Sequence, residues 1–273
     1  MCFCTRSITC FGGTLRDKIT FTVFEKIILA ETTLDKSCLN KKWNWSKIIG
    51  TILFLVLLGS IVYVTVMIFT APSTVPENEP YTKVKSDYYL SLLQCMLGLV
   101  VMFLPSFFQK KLSIEVPNYM RCMYFVFLYC AIYLGEVRDF FYLVPNWDIY
   151  LHTFSGAMLG ALGFSLVSIL NEEKSVPMQL SPGFVAFFAF CFALACGAVW
   201  EIYEFVVDGM LGMNMQKFAT DQGVQFVGHE AIRDTMEDLM VDAAGALVIC
   251  LIGALFLRRK KREKEKKLPE GTA

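Results

Sequence analysis

Two stretches, GAVWEIYEFVVDG at 197–209 and DTMEDLMVDAAGA at 234–246, decide how this chain is read. Glu201, Glu204 and Asp208 recur at i, i+3 and i+7, and Asp234, Asp238 and Asp242 at i, i+4 and i+8. Each trio therefore lines one face of a helix. The first trio is preceded by the apolar run 184–199 and the second is followed by the apolar run 243–257. Carboxylates continuous with sequence of lipid-like hydrophobicity are costly in a bilayer, so both stripes mark a functional site.

Working outward, the 273 residues are 55% hydrophobic and 18% charged, with 24 Phe, which is too apolar for an ordinary soluble domain. The expected class is all-α, a polytopic membrane bundle of about six transmembrane helices. Spans are expected at 48–70, 89–108, 119–133, 147–170, 183–207 and 234–257. The domain plan is a cytoplasmic extension at 1–46, a six-helix transmembrane domain at 47–257 and a basic cytoplasmic tail at 258–273. The extension has no continuous apolar core of the kind a cleavable signal peptide needs. No internal repeat supports a pseudo-symmetric transporter.

Net charge is zero, but RRKKREKEKK at 258–267 is strongly basic. With both termini inside, Lys41, Lys42, Lys47, Lys110, Lys111, Arg121, Lys174 and the tail are cytoplasmic. Only Lys83, Lys85, Arg138, Lys217 and Arg233 then face outward, as the positive-inside rule requires. Trp43 and Trp45 fall at the inner boundary, and Trp147 and Trp200 at the outer one. The tail reads as an orientation signal and an anionic-lipid contact, with no nucleic-acid partner expected. Six of the ten cysteines lie in or beside apolar spans and the other four, Cys2, Cys4, Cys10 and Cys38, precede them, so no disulfide framework is implied.

This topology brings the outer ends of spans three to six together. They carry Glu136 and Asp139, Asp148 and His152, Glu201 with Glu204 and Asp208, and Asp234 with Asp238 and Asp242. Glu136, Arg138 and Asp139 are expected to neutralise one another. The expected ligand set is Asp148, His152, Glu201, Glu204, Asp208, Asp234, Asp238 and Asp242, in a shallow outward pocket. So many carboxylates cannot all stay ionised without a cation. Oxygen-rich donors with one His suit Mg²⁺, Mn²⁺ or Ca²⁺, with Zn²⁺ open through His152. Asp234 with Glu237 also reads as a helix start, Asp148 as a favourable charge at a helix N-terminus, and the GxxxG at Gly156–Gly160 as internal packing.

WDIYLHTFSG (147–156), GAVWEIYEFVVDG and DTMEDLMVDAAGA resemble the YjdF family of uncharacterised bacterial inner-membrane proteins. That resemblance implies a multi-pass protein of the bacterial inner membrane. More distantly, Asp148 with His152, Glu201 with Glu204, and Asp238 with Asp242 and Gly245 resemble the pattern of VanZ-like proteins, which commonly carry amides at the positions of Glu204 and Asp242. Three functions follow as expectations. The first is a divalent-cation pocket acting on envelope lipids or phosphates, and the second is a cation- or proton-coupled transporter. The third is a noncatalytic component of an envelope complex. Thr153 and Ser155 are adjacent to the set but unremarkable as helix residues, and no dedicated nucleophile or Arg pair for phosphate is evident.

Overall fold

The computed structural model describes residues 44–74, 82–112, 116–172, 180–220 and 223–267. Expectations for the amino-terminal extension, its four cysteines, Lys41, Lys42, Trp43, Lys174 and the last tail residues lie outside them. The described residues are helical, apart from turns and a single bridge between Ala219 and Gln225. Among the described residues, six helical segments are long and apolar enough to cross a membrane, which makes the fold an all-α polytopic bundle.

The first span is α1 (Trp45–Thr70). The second is broken into α2 (Lys85–Val101) and α3 (Leu104–Leu112), and its chemistry explains the break. Pro105 has no N–H, so the carbonyl of Val101 four residues earlier loses its helical donor. The hydroxyl of Tyr124 donates to that oxygen at 2.7 Å. A freed backbone group inside a bilayer needs such a substitute.

The third span starts as α4 (Asn118–Leu128) and continues as a π-helical segment, Tyr129–Val137. The i→i−5 spacing persists to its end, where the Arg138 amide donates to Tyr133 at 2.9 Å. Wider turns of this kind recur at functional sites. A short α5 (Phe140–Leu143) follows, and Asn146, with φ of 60°, turns the chain into α6 (Trp147–Glu172).

The fifth span is α7 (Pro182–Leu211). Ser181 Oγ caps it by accepting from the Phe184 amide, Pro182 occupies the first turn, and Gly212 ends it with φ of 64°. A 3₁₀ turn, Gly228–Ile232, leads into α8 (Arg233–Lys267). At about 1.5 Å per residue, its 35 residues exceed the roughly 30 Å hydrocarbon layer, so the basic end extends beyond the span.

Two packed groups result. α1, α2, α4 and the π-helical segment share a core of Leu53, Leu57, Val64, Cys95, Phe125, Leu128 and Ile132. α6, α7 and α8 form the other, with Phe164, Val167, Val185, Ala189 and Cys250 buried at one end. The other end of α6–α8 holds the acidic residues. Two lysine contacts place the helix ends that carry charge on one face. Lys83, before α2, bonds Asp139 at 2.5 Å, and Lys217, after α7, bonds Asp148 at the start of α6. At the opposite face, Ser46 at the start of α1 bonds Asn118 at the start of α4, 3.3 Å apart.

Candidate functional site

The small residues of α6 and α8 decide how close the helices come. A Cβ on Gly156 would lie 2.3 Å from the backbone oxygen of Asp242, and one on Gly245 would lie 2.3 Å from that of Thr153. Backbone therefore meets backbone along this seam, and Gly156 serves internal packing. On α7, a Cβ at Gly197 would lie 2.5 Å from Asp242 Oδ2, so that glycine makes room for the carboxylate itself. Three helices thus converge on Asp242, which is only 2% exposed.

His152 sits at the centre. Its Nδ1 is 3.2 Å from Asp242 Oδ2, and Ser155 Oγ donates to the other oxygen, Oδ1, at 2.9 Å. In the tautomer with the proton on Nδ1, Asp242 accepts it and Nε2 presents a lone pair. That nitrogen faces Asp148 Oδ1 at 3.6 Å and Asp238 Oδ2 at 3.8 Å. Donor atoms of Asp148, His152 and Asp238 all lie within 4.8 Å of one another. Ligands about 2.0–2.2 Å from a tetrahedral zinc stand roughly 3.4 Å apart, so this triangle is close to coordination size. A His that hands its second nitrogen to a carboxylate is the usual arrangement behind a metal ligand.

The other members of the acidic set have separate environments. Glu201 is 4% exposed, and its carboxylate faces the Thr235 hydroxyl, a hydrogen-bonding neighbour. His152, Asp234 and Asp148 are its electrostatic neighbours, and the Thr235 hydroxyl in turn accepts from Gln216 Nε2 at 2.9 Å. Glu204, also buried, lies within the influence of Glu201, Asp148, His152 and Asp238. Asp208 turns away, because its two oxygens accept from the amides of Met215 at 2.8 Å and Gln216 at 3.0 Å. Asp234 accepts from Lys217 Nζ at 2.9 Å.

Lys217, which the sequence reading left among the outward loop charges, joins the acidic set. Its ammonium bridges Asp148 and Asp234. Burial works to lower its pKa, but these two carboxylates outweigh that and hold it above the ordinary lysine value. Part of the positive charge facing the acidic set is therefore supplied by the chain itself. The position is set locally: Asp208 pins the two residues before it, and Lys217 itself has φ of 46°. A lysine following MNMQ in a polar loop carries no periodic signal of such a role.

Three expectations are corrected. Asp139 is paired by Lys83, which also donates to the Glu136 carbonyl, while Arg138 is exposed. The shallow pocket is replaced by close packing, with His152, Glu201, Glu204, Asp238 and Asp242 all buried. The apolar surface also runs beyond Trp200, since Ile202, Phe205, Val206 and Met210 are exposed on the back of the acidic face of α7.

Among known proteins, an uncharacterized protein of Thermotoga maritima is 26% identical over 159 residues, covering 58% of this chain and 72% of that relative. No solved structure matches. The sequence model of one family matches residues 48–259, which takes in all six spans and every residue of the acidic set. The chain belongs to that family, described as predicted membrane protein (DUF2238).

Proposed function

We propose that this protein holds a divalent cation between Asp148, His152 and Asp238, with Glu201 and Glu204 as the neighbouring carboxylates that complete or exchange the ligand set. The observation that carries the reading is Nε2 of His152 facing the carboxylates of Asp148 and Asp238 at 3.6 and 3.8 Å, in a three-residue cluster of near-coordination size. A second is the buried Glu201 carboxylate, which has Asp234 and Asp148 as like-charge neighbours and the Thr235 hydroxyl beside it. Burying an ionised carboxylate near others is costly, and a nearby cation relieves that cost. Mixed oxygen and nitrogen donors suit Mn²⁺ or Zn²⁺, with Mg²⁺ and Ca²⁺ favoured if the carboxylates dominate.

When bound, such an ion supplies Lewis-acid polarisation of a phosphoryl or carbonyl oxygen. Asp242 orients His152, Ser155 holds Asp242, and Lys217 balances Asp148 and Asp234. The reading is therefore a membrane protein with a metal centre toward the extracytoplasmic face, serving chemistry on envelope lipids or phosphates. The YjdF-like motifs sit within the matched family and support a bacterial inner-membrane location. The VanZ-like resemblance gains no support from the matches. The alternative is ion or proton transfer through Glu201 and Glu204, favoured by the burial of both carboxylates within one span.

Metal analysis of the detergent-purified protein tests the reading. About one divalent ion per chain is expected in the wild type, with loss in His152→Ala and Asp238→Asn. A wild type free of bound metal, after exposure to Mn²⁺ and Zn²⁺, contradicts it. Metal or proton flux into proteoliposomes that disappears in Glu201→Gln would favour transport.

A further inference from the structure

The loop that follows α7 is folded down over the acidic set. Every residue from Met213 to Thr220 is half-buried, whereas 223–230 are all exposed. Gly212, with φ of 64°, turns the chain off the end of α7, and Lys217, with φ of 46°, turns it again. Between these turns, three consecutive residues tie the loop to other spans. Met215 Sδ accepts from Gln94 Nε2 of α2 at 3.9 Å, and Gln216 Nε2 donates to Thr235 Oγ1 of α8 at 2.9 Å. Lys217 Nζ donates to Asp148 at the start of α6 and, at 2.9 Å, to Asp234 at the start of α8. The Asp208 carboxylate accepts from the Met215 and Gln216 amides, which fixes the backbone from which these side chains reach out.

The two carboxylates that Lys217 joins are the outermost of the site. His152 follows Asp148 by one turn on α6, and Asp238 follows Asp234 by one turn on α8, so the ammonium spans the first turns with His152 and Asp238 behind it. Side-chain exposure falls along that line, from 42% at Lys217 to 21% and 22% at Asp148 and Asp234, then 10% at His152 and 4% at Asp238. A cation approaching by this route meets a like charge first. Lys217 holds Asp148 by Oδ2, however, while Oδ1 faces His152 Nε2 at 3.6 Å. An ion taking Oδ1 leaves Oδ2 to Lys217, so the loop can close over a filled site as well as an empty one. Opening is cheap. Ion pairs this exposed contribute little, and the other two ties are one neutral hydrogen bond and one thioether contact.

We propose that residues 215–217 form a lid over the His152 site, with the Lys217 ammonium as its latch, and that the latch must leave Asp148 and Asp234 before a cation enters or escapes. The identity of the ligand rests on the cation reading given above, whereas the lid is a property of the chain that can be read with no ion bound. A lid of this kind sets the rate of exchange and leaves the affinity to the ligands beneath it.

The full chain in detergent, stripped of metal, is treated with a water-soluble carbodiimide and glycine ethyl ester. Amidated carboxyls are mapped by mass spectrometry, with exposed Glu230 as the internal standard. Asp238 should label slowly in the wild type. Gln216→Ala removes one neutral hydrogen bond and no charge, and should raise that rate about fivefold. Lys217→Met should raise it further, and Lys217→Arg should bring it back toward the wild type. Mn²⁺ is then added as the ligand probe. In Gln216→Ala its binding and release should quicken by the same factor, with the dissociation constant unchanged. Folding of the variants is checked by monodisperse gel filtration, and Gln216→Ala decides alone if Lys217→Met fails that check. Faster labelling in Gln216→Ala with no Mn²⁺ bound by any form supports the lid and contradicts the cation reading. Asp238 labelling that is equal in the wild type, Gln216→Ala and Lys217→Met overturns the lid, whether or not Mn²⁺ binds. So does Mn²⁺ release that is unchanged in Gln216→Ala.

Discussion

The first three spans and the last three solve the same packing problem with different chemistry. In the first group, Leu53, Leu57, Phe125 and Ile132 interlock as side chains. Even its tight glycines meet side chains, since a Cβ on Gly98 would lie 2.4 Å from Ile132 Cδ1, the end of a flexible side chain, and one on Gly135 would lie 2.4 Å from the Phe141 ring. In the second group, Gly156 and Gly245 put backbone on backbone, and the space opened at Gly197 is filled by a carboxylate. The first arrangement tolerates adjustment. The second fixes the separation of α6, α7 and α8, and with it the distances around His152.

The sharpest way to break this comparison is to add one methyl group to each half. Gly156→Ala and Gly245→Ala should cost well above the usual overpacking range of about 1–3 kcal/mol, because backbone cannot rotate away. Gly98→Ala should fall within that range, and Gly59→Ala, with nothing within 4 Å of its Cβ, should be neutral or slightly stabilising. Thermal melting in detergent orders the four. Equal losses at Gly156 and Gly98 would remove the distinction.

Next in size are truncations of each core. Asp242→Ala leaves Ser155 and His152 without their partner and should cost about 3–6 kcal/mol, as losing two buried hydrogen bonds to a charged group does. Leu57→Ala should cost about 2–5 kcal/mol through its cavity. Urea or thermal unfolding compares the totals, and only Asp242→Ala should also disturb metal content.

The smallest expected effect is at Lys217. Its side chain is 42% exposed, so Lys217→Met should cost about 1 kcal/mol or less. Because its pKa is raised in the folded state, its contribution is complete below the ordinary value of 10.5 and fades as pH rises through the folded value. The gap between wild type and Lys217→Met should hold constant from pH 6 to about 9 and close only above the lysine range. A gap that opens on alkalinisation would contradict the assigned pairing.

The legible parts of this molecule were those with a period. Apolar runs gave six spans within a few residues, and the 3.6-residue repeat gave the inward faces of α7 and α8. Asp208 shared that face but not its environment, because contacts with the following loop amides have no periodic signature. Lys217 and Lys83 likewise reach their carboxylates from irregular loops, and a count of loop charges cannot reveal partners. Pro105 explains the break in the second span locally, but the Tyr124 hydroxyl that repairs it lies in the next span, beyond any local pattern. The π winding of 129–137 left no mark in the residue pattern.

The two halves can finally be separated by a single titration. Thermal unfolding is followed with Mn²⁺ added from zero to about one hundred times its dissociation constant, where a native-state ligand contributes about 2.7 kcal/mol. The wild type should gain stability. Leu57→Ala should start lower and show the same gain, while Asp238→Asn should show none. A wild type indifferent to Mn²⁺ and Zn²⁺, or a gain that survives intact in Asp238→Asn, would contradict a cation held at His152.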